Sequence, residues 1–537
     1  MKKQMSGLLA CLLLGTVLSA CASNNDNEAS SSEAPSPEVS ASPSASEPAA
    51  SESPQAGEKF EVSLIKGTWE APIPQPDDVG SKMISERFNI DFKPQLVPFE
   101  EYDAKLPVVM AAGDLPDVIG QSYADTNFVK WAEQGAFMPL NDYVDKFETF
   151  KLVPDSVWEA MSVDGKIYGI PQYFSFKYGK KPVIRKDWLD NLGLAMPTNY
   201  EELKKVAIAF TKDDPDKNGK NDTLGLGIGK DFVFGAWMGT YWDTSWSHRN
   251  EQGQLIPGVI SQGFKEQVQL LRDLYQESAI PKDWAVTNYK DVRKDFYAGK
   301  IGIWYEQPGD NQSLFQTLQD AVPGAEVVMI PPFKQPDGNQ GFTGSRGYYE
   351  LISLNAKLAD EPEKVERILG MYDYFQTFIP VDQRIPSNTE FNWQNGLEGK
   401  GYNMVDGTPV PDEAQMGLSP NTYILRRGWA PTDEATELGK LTPQPLANKF
   451  TQSTIDTLKN IKFYVDPINS IHSKLWSEKE AELLSIMNVH HTKMILGDEP
   501  ISDWDKAVSE FLSKGGQAAI DDVNKLLSEN NITPEWK

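Results

Sequence analysis

Apolar and polar residues alternate at Phe60, Val62 and Leu64, which predicts a strand ending near Gly67. From Asp77 to Phe88 the period changes, and Val79, Met83, Ile84 and Phe88 fall on one face of a helix. Ile90 to Val97 reads as a second strand and Glu100 to Ala112 as a second helix. Asp117-Val118-Ile119, after Gly113-Asp114-Leu115-Pro116, reads as a third strand. Strand, helix, strand, helix, strand with short links predicts a parallel sheet covered on both faces. Ligands of such sheets lie beyond the carboxyl ends of the strands. Lys66 to Glu70 and Gly120 to Tyr123 are therefore expected at the rim of a site.

Further along, Asp164-Gly165-Lys166-Ile167-Tyr168-Gly169-Ile170-Pro171 is a turn running into a strand. Thr198, with Glu201 three residues on, has the pattern of a capping box and predicts a helix towards Thr211. Phe296 to Trp304 reads as a helix end entering a strand. Asp360 to Phe378 is amphipathic, with Val365, Ile368, Leu369 and Tyr372 in register. The tail from Trp476 is mostly helical, with Gly497 and Gly515-Gly516 as stops.

The first 57 residues follow another logic. Lys2 and Lys3 precede an apolar run, Leu8 to Val17, that ends at Leu18-Ser19-Ala20-Cys21. The run is shorter than the roughly 20 residues needed to span a bilayer, and it reads as an export signal. Leu-Ser-Ala-Cys resembles the lipobox of bacterial lipoproteins, which implies lipidation of Cys21 after removal of residues 1–20; an ordinary secretory signal with an incidental cysteine is the alternative. Ala22 to Gly57 is mostly Ser, Ala, Pro and Glu without an aromatic residue, so it cannot offset the entropy of ordering and is expected to be a solvated tether.

The remaining 480 residues exceed one ordinary core, so two lobes are expected. The only cysteines, Cys11 and Cys21, precede them, so no disulfide holds the lobes together. The chain carries a formal charge of -26, with about -22 on the lobes, which disfavours nucleic acid or anionic lipid as a partner. Fourteen Trp, 19 Tyr and 24 Phe supply flat faces for stacking, though most are expected in the core.

Asp214-Pro215-Asp216-Lys217-Asn218-Gly219-Lys220-Asn221-Asp222 has oxygen side chains at positions one, three, five and nine and Gly at six. This matches the first nine positions of an EF-hand loop, with Lys220 offering its backbone carbonyl at seven. Gly225 stands where the twelfth-position glutamate belongs. Structural calcium is expected there; an Asx-rich turn without metal is the alternative.

Phe234, Trp237, Met238, Tyr241, Trp242 and Trp246 fall at helical spacing, either as a core stripe or as rings for sugar stacking. Trp69 and Trp304 follow predicted strands, with Glu70 and Glu306 beside them as acceptors for hydroxyls. Tyr123, Tyr173, Arg346 with Tyr348, and Trp429 within Arg426-Arg427-Gly428-Trp429 complete the candidate ligand set. No Gly-x-Ser-x-Gly, phosphate-binding loop or His-Glu-x-x-His occurs, and no catalytic residue is assigned.

Gly113 to Val118, Lys166 to Pro171, Arg185-Lys186-Asp187-Trp188-Leu189 before a Pro-Thr helix, and Ala298-Gly299-Lys300-Ile301-Gly302 occur in an order that resembles the extracellular solute-binding proteins of bacterial ABC importers. Asn395 to Lys400 and Ile501 to Asp505 resemble the large lipoprotein branch serving carbohydrate uptake. Sugar-binding members carry a similar metal loop, often with an acidic residue after its last Asp, where this chain has Thr223. The resemblance implies a two-lobed α/β fold with a hinge and a helical C-terminal region. We place the first lobe at 58–177 plus 298–345 and the second at 178–297 plus 346–537. Crossings are expected near Tyr178, Lys294 to Tyr297 and Arg346. It further implies a monomer, anchored by lipid outside the cytoplasmic membrane, that passes an oligosaccharide to the importer's membrane subunits. A uronate would need Arg346, Arg426 or Lys66 in the cleft. An oligopeptide-binding lipoprotein of the same fold and a surface glycoside hydrolase are the alternatives.

Overall fold

The computed structural model describes residues 57–230, 237–309, 312–424, 428–440 and 443–537. The signal, the tether and Cys21, together with Phe234, Arg426 and Arg427, lie outside the described residues.

Nine strands build the two principal sheets: Phe60–Thr68 (β1), Ile90–Pro98 (β2), Val118–Gln121 (β3), Ile170–Tyr173 (β4), Lys181–Arg185 (β5), Leu224–Leu226 (β6), Ile301–Glu306 (β7), Val327–Met329 (β8) and Tyr348–Leu354 (β9). The first sheet runs β2-β1-β3-β9-β4 and the second β8-β5-β7-β6. β1 pairs in parallel with β2 and β3, as the alternation of apolar residues with two intervening helices required, while β9 is antiparallel to β3 and β4. Each sheet is buried on both faces. Val62, Leu64 and Val118 point into one core and Ile65 and Ile119 into another. Ile184 and Ile303 likewise oppose Val183 and Trp304 across the second sheet.

The resemblance motifs turn out to brace these sheets. The Asp117 carboxylate accepts Ser63 N–H and Oγ–H at 2.8 Å each and pairs with Lys364 at 2.8 Å. Buried Arg185 forms a two-pronged pair with Asp187, whose carboxylate also accepts the Glu326 N–H. Two parallel charge-assisted bonds of this kind hold the buried guanidinium through Nε and Nη2, while Nη1 has no hydrogen-bond partner among the described residues.

Strand pairing corrects the expected lobe boundaries. β7 and β8 lie in the second sheet, not the first, and β9 lies in the first. The amphipathic helix Pro362–Gln376 also packs on the first core, through Val365, Ile368, Leu369 and Tyr372. The chain crosses between sheets from β4 to β5, around Tyr178, and from β8 to β9, around Arg346. It returns once more between Ile424, in the first core, and Leu446, in the second half. Lys294 to Tyr297 belong instead to the helix Tyr289–Tyr297 within the second half. Strand order in a mixed sheet depends on pairings distant in sequence, which a local pattern does not encode.

Two local expectations also shift. The helix expected from Thr198 starts at Tyr200, capped by Asn199, whose side chain accepts the Glu202 N–H; Glu202 in turn accepts the Thr198 N–H and hydroxyl. The aromatic stretch from Trp237 has only a single 3-10 turn, Thr240–Trp242, among its described residues. The C-terminal helices Lys474–Leu496, Trp504–Phe511 and Gln517–Glu529 pack on the second core. Gly497 and Gly515 carry the positive φ that breaks them.

Candidate functional site

The carboxyl ends of β1 to β4 and the amino end of β9 lie on the same edge of the first sheet. Trp69 follows β1, Phe99 follows β2, Tyr123 follows β3, Phe174 follows β4, and Tyr348 and Tyr349 open β9. Their rings form a continuous row. Trp69 lies 4.6 Å from Phe99, Phe99 6.2 Å from Tyr349, and Tyr349 5.4 Å from Tyr123 and 6.2 Å from Phe174. Trp69 is 65% exposed and Tyr123 39%, values that leave ring faces open to a ligand.

A bulge aims the end of the row. β9 spends four residues, Tyr348 to Leu351, where β4 spends three, Tyr173 to Pro171. Glu350 absorbs the extra residue at a φ of 66°, a conformation costing an L-residue about 1 kcal/mol or more. Its carboxylate meets Lys66 at 3.3 Å, and Lys66 also donates to the Ile424 carbonyl. Bulges commonly re-aim side chains beside binding sites, and this one sets Tyr348 and Tyr349 next to Tyr123.

Arg346 joins the row to a pocket of about 370 Å³. Its guanidinium lies 4.8 Å over the Tyr123 ring. Ala124, Asp125 and Thr126 wall the pocket from the first sheet's edge, Thr244 and Trp246 from a loop of the second half, and Asp466, His472, Trp476 and Glu480 from the C-terminal segment. The rings of Trp246 and Trp476 meet edge-on at 5.0 Å. Burial, its first cause in each case, raises the carboxyls of Asp125 and Glu480 and pushes Asp466 up to about 7. Asp466 nonetheless accepts the Trp246 and Ile468 N–H groups, both at 3.3 Å. Apolar plates bordered by fixed hydrogen-bonding groups suit a molecule with flat C–H faces and a hydroxyl rim.

Of the residues expected at a site, Trp69, Tyr123, Arg346 and Tyr348 gather here, and Glu70 follows Trp69 half-buried, its N–H donating to Thr68 Oγ1. Six others are packing residues. Trp237 and Trp242 are buried in the second core, with Trp242 Nε1 donating to Glu266. Trp304 is 2% exposed and stacks on Tyr289. Glu306 is fully buried and holds Arg293 at 3.1 Å and the Tyr297 hydroxyl at 2.9 Å, so it serves the fold rather than a hydroxyl of a ligand. Trp429 packs against Tyr173 and donates to Gln376. Tyr173 itself is buried, with its hydroxyl on Asp433. Lys66 is committed to Glu350 and does not line the pocket. The position just past a strand end that marks Trp69 marks Phe99 equally; Trp246, Trp476, Asp466 and Glu480 come together only through tertiary packing.

In the loop from Asp214 to Asp222, Asp214 accepts the Asn218 and Gly219 N–H groups at 3.0 Å each. The Asn218 amide donates to Asp216 at 2.8 Å and Asp222 at 3.0 Å, so these four side chains converge. Burial and the neighbouring Asp214 and Asp222 raise the Asp216 carboxyl, the response of anions crowded together. Asp214, Lys217 and Gly219 supply positive φ for the tight turn. As they stand, no three His, Cys, Asp or Glu side chains among the described residues are arranged to hold a metal ion. The donors are all-oxygen, as calcium requires, with the Asn218 amide at their centre. Thr223 adds no ligand, because its buried hydroxyl donates to the Phe210 carbonyl.

Known proteins resemble this chain over most of its length. The polygalacturonan/rhamnogalacturonan-binding protein YtcQ of Bacillus subtilis (strain 168) is 27% identical over 497 residues, covering 89% of this chain and 94% of YtcQ. A solute-binding protein of Bifidobacterium longum infantis, described as binding HMO in association with an ABC transporter, superposes with a TM-score of 0.65 at 19% identity, covering 88% of this chain and 99% of its own. The alginate-binding protein AlgQ2 without calcium ion superposes with a TM-score of 0.63 at 18% identity, over the same shares. These structures share the two-lobed periplasmic-binding-protein fold. Residues 67–363, more than half of the chain, match the profile of the bacterial extracellular solute-binding proteins, and this protein belongs to that family.

Proposed function

We propose that this protein captures an oligosaccharide between its two lobes and delivers it to an ABC importer. The row of rings from Trp69 to Tyr123, running into the pocket at Arg346, is the observation that carries this reading. A row of stacking faces longer than one sugar ring suits a chain of units, and the carbohydrate-binding relatives support the class. Contact with both lobes favours the closed form, because only differential affinity shifts such an equilibrium. The carboxylates in the pocket act as hydroxyl acceptors, and no bond is made or broken.

Cys21 would carry the lipid that holds a monomer at the outer face of the cytoplasmic membrane, and residues 22–57 would give it reach. Asp214, Asp216, Asn218 and Asp222, with the Lys220 carbonyl, would hold a structural calcium ion.

Calorimetric titration with oligosaccharides and peptides tests the function. A sugar should bind without appearance of new reducing ends, and Trp69→Ala should weaken it about tenfold, or 1.4 kcal/mol, while leaving the melting temperature within a degree or so. Binding of peptides alone, or release of product, would overturn the reading.

A further inference from the structure

We infer that the pocket accepts a neutral, hydroxyl-rich sugar chain and discriminates against uronates, because its lining sets three carboxyl groups against a single guanidinium. The inference rests on the sugar-capturing reading above and narrows it.

The ionisable groups among the described residues lining the pocket are Asp125, Arg346, Tyr348, Asp466, His472, Glu480 and His491, and burial raises the Tyr348 hydroxyl so that it stays neutral. The three carboxylates come from separate places: the cap of the helix Thr126–Glu133, the residue after the strand Lys462–Val465, and the helix Lys474–Leu496. Arg346 acts electrostatically on all three. The imidazoles add no positive charge, since burial lowers His472 and brings His491 down to about 3. With Asp466 titrating near 7, Asp125 and Glu480 still oppose a single Arg346.

An ionised carboxylate only accepts hydrogen bonds, and a sugar hydroxyl donates one while accepting another. Three carboxyl groups and one guanidinium lining the same pocket therefore match hydroxyl groups well. A uronate would instead bring a further anion into a pocket where acidic groups already outnumber the one guanidinium, which electrostatic complementarity opposes. One polar atom points to the same ligand chemistry. Asn488 Oδ1 belongs to a pocket-lining residue and is buried without a hydrogen-bond partner among the described residues. Asn488 Oδ1 is an acceptor awaiting a donor, which a hydroxyl supplies and a carboxylate does not. The preference would set this chain apart from its relative named for polygalacturonan.

The test is calorimetry on the intact protein with cellotetraose, xylotetraose and β-1,4-galactotetraose against tetragalacturonate, at low and high salt. We expect at least one neutral tetrasaccharide to bind tenfold or more tighter than tetragalacturonate. The double variant Asp125→Asn, Glu480→Gln should narrow that gap severalfold, with its melting curve confirming that it folds. Tighter binding of tetragalacturonate, lost on Arg346→Gln, would overturn the inference and leave the sugar-capturing reading intact. Failure of both charge classes to bind would overturn the two together.

Discussion

Single residues show how the same chemistry reads differently with burial. Trp69-Glu70 and Trp304-Tyr305-Glu306 look alike in the sequence, each following a strand. Trp69 lies open at the sheet edge, whereas Trp304 and Glu306 are sealed under the helix Tyr289–Tyr297. No local pattern distinguishes them, because what covers Trp304 comes from another segment. Asp466 is a second case. An aspartate ordinarily titrates near 4, and burial pushes this one up to about 7. The folded chain then keeps a proton that the unfolded chain releases, so its contribution to stability is full below pH 4 and lost as pH rises through 7. Asp466→Asn removes the charge and keeps an acceptor for one of the Trp246 and Ile468 N–H groups, which reach different carboxylate oxygens. It should melt higher than the parent at pH 8, by up to about 4 kcal/mol of stability, with the difference closing at pH 4. Equal differences at both pH values would sink this account.

At the scale of elements, the sequence was most legible where chain neighbours supply the partners. The strands β1 to β3 and their two helices fall within a residue or two of their expected bounds, since alternation and helical period are properties of one segment. The run from Trp237 to Trp246 misled for the opposite reason: helical spacing there is fortuitous, and Gly239 at a φ of 142° breaks the backbone. The bulge in β9 was equally hidden, because it exists only relative to the spacing of β4. The loop from Asp214 to Asp222 was legible as a motif, since its donors are neighbours in sequence, though not in how the Asn218 amide bridges them. If it takes calcium, ion at 100 times its dissociation constant adds about 2.7 kcal/mol. Differential scanning calorimetry should then show a rise of several degrees on replacing EDTA with calcium. Asp214→Ala together with Asp216→Ala should abolish the rise, and a rise persisting in that variant would place the ion elsewhere.

For the whole molecule, the relation of the two sheets decides function. An ion pair between Glu100, at the start of the helix after β2, and Lys290, in the helix before β7, bridges them at the surface. Both groups are well exposed, so the pair is worth at most about 1 kcal/mol. Glu100→Lys should expand the ligand-free protein in small-angle scattering and weaken ligand binding by no more than about fivefold, with the effect fading at high salt. An unchanged scattering curve would remove the pair as a brace between lobes. By itself, the sequence determined the class of fold, the family and the position of the first sheet's edge, because strand alternation and the order of short motifs are carried by contiguous residues. Only the tertiary structure decided which strands share a sheet, which aromatic rings are sealed and which stay open, and that Arg346 shares a pocket with three carboxyl groups from distant segments. Burial and charge proximity arise when segments pack together, and no stretch of chain contains its own surroundings.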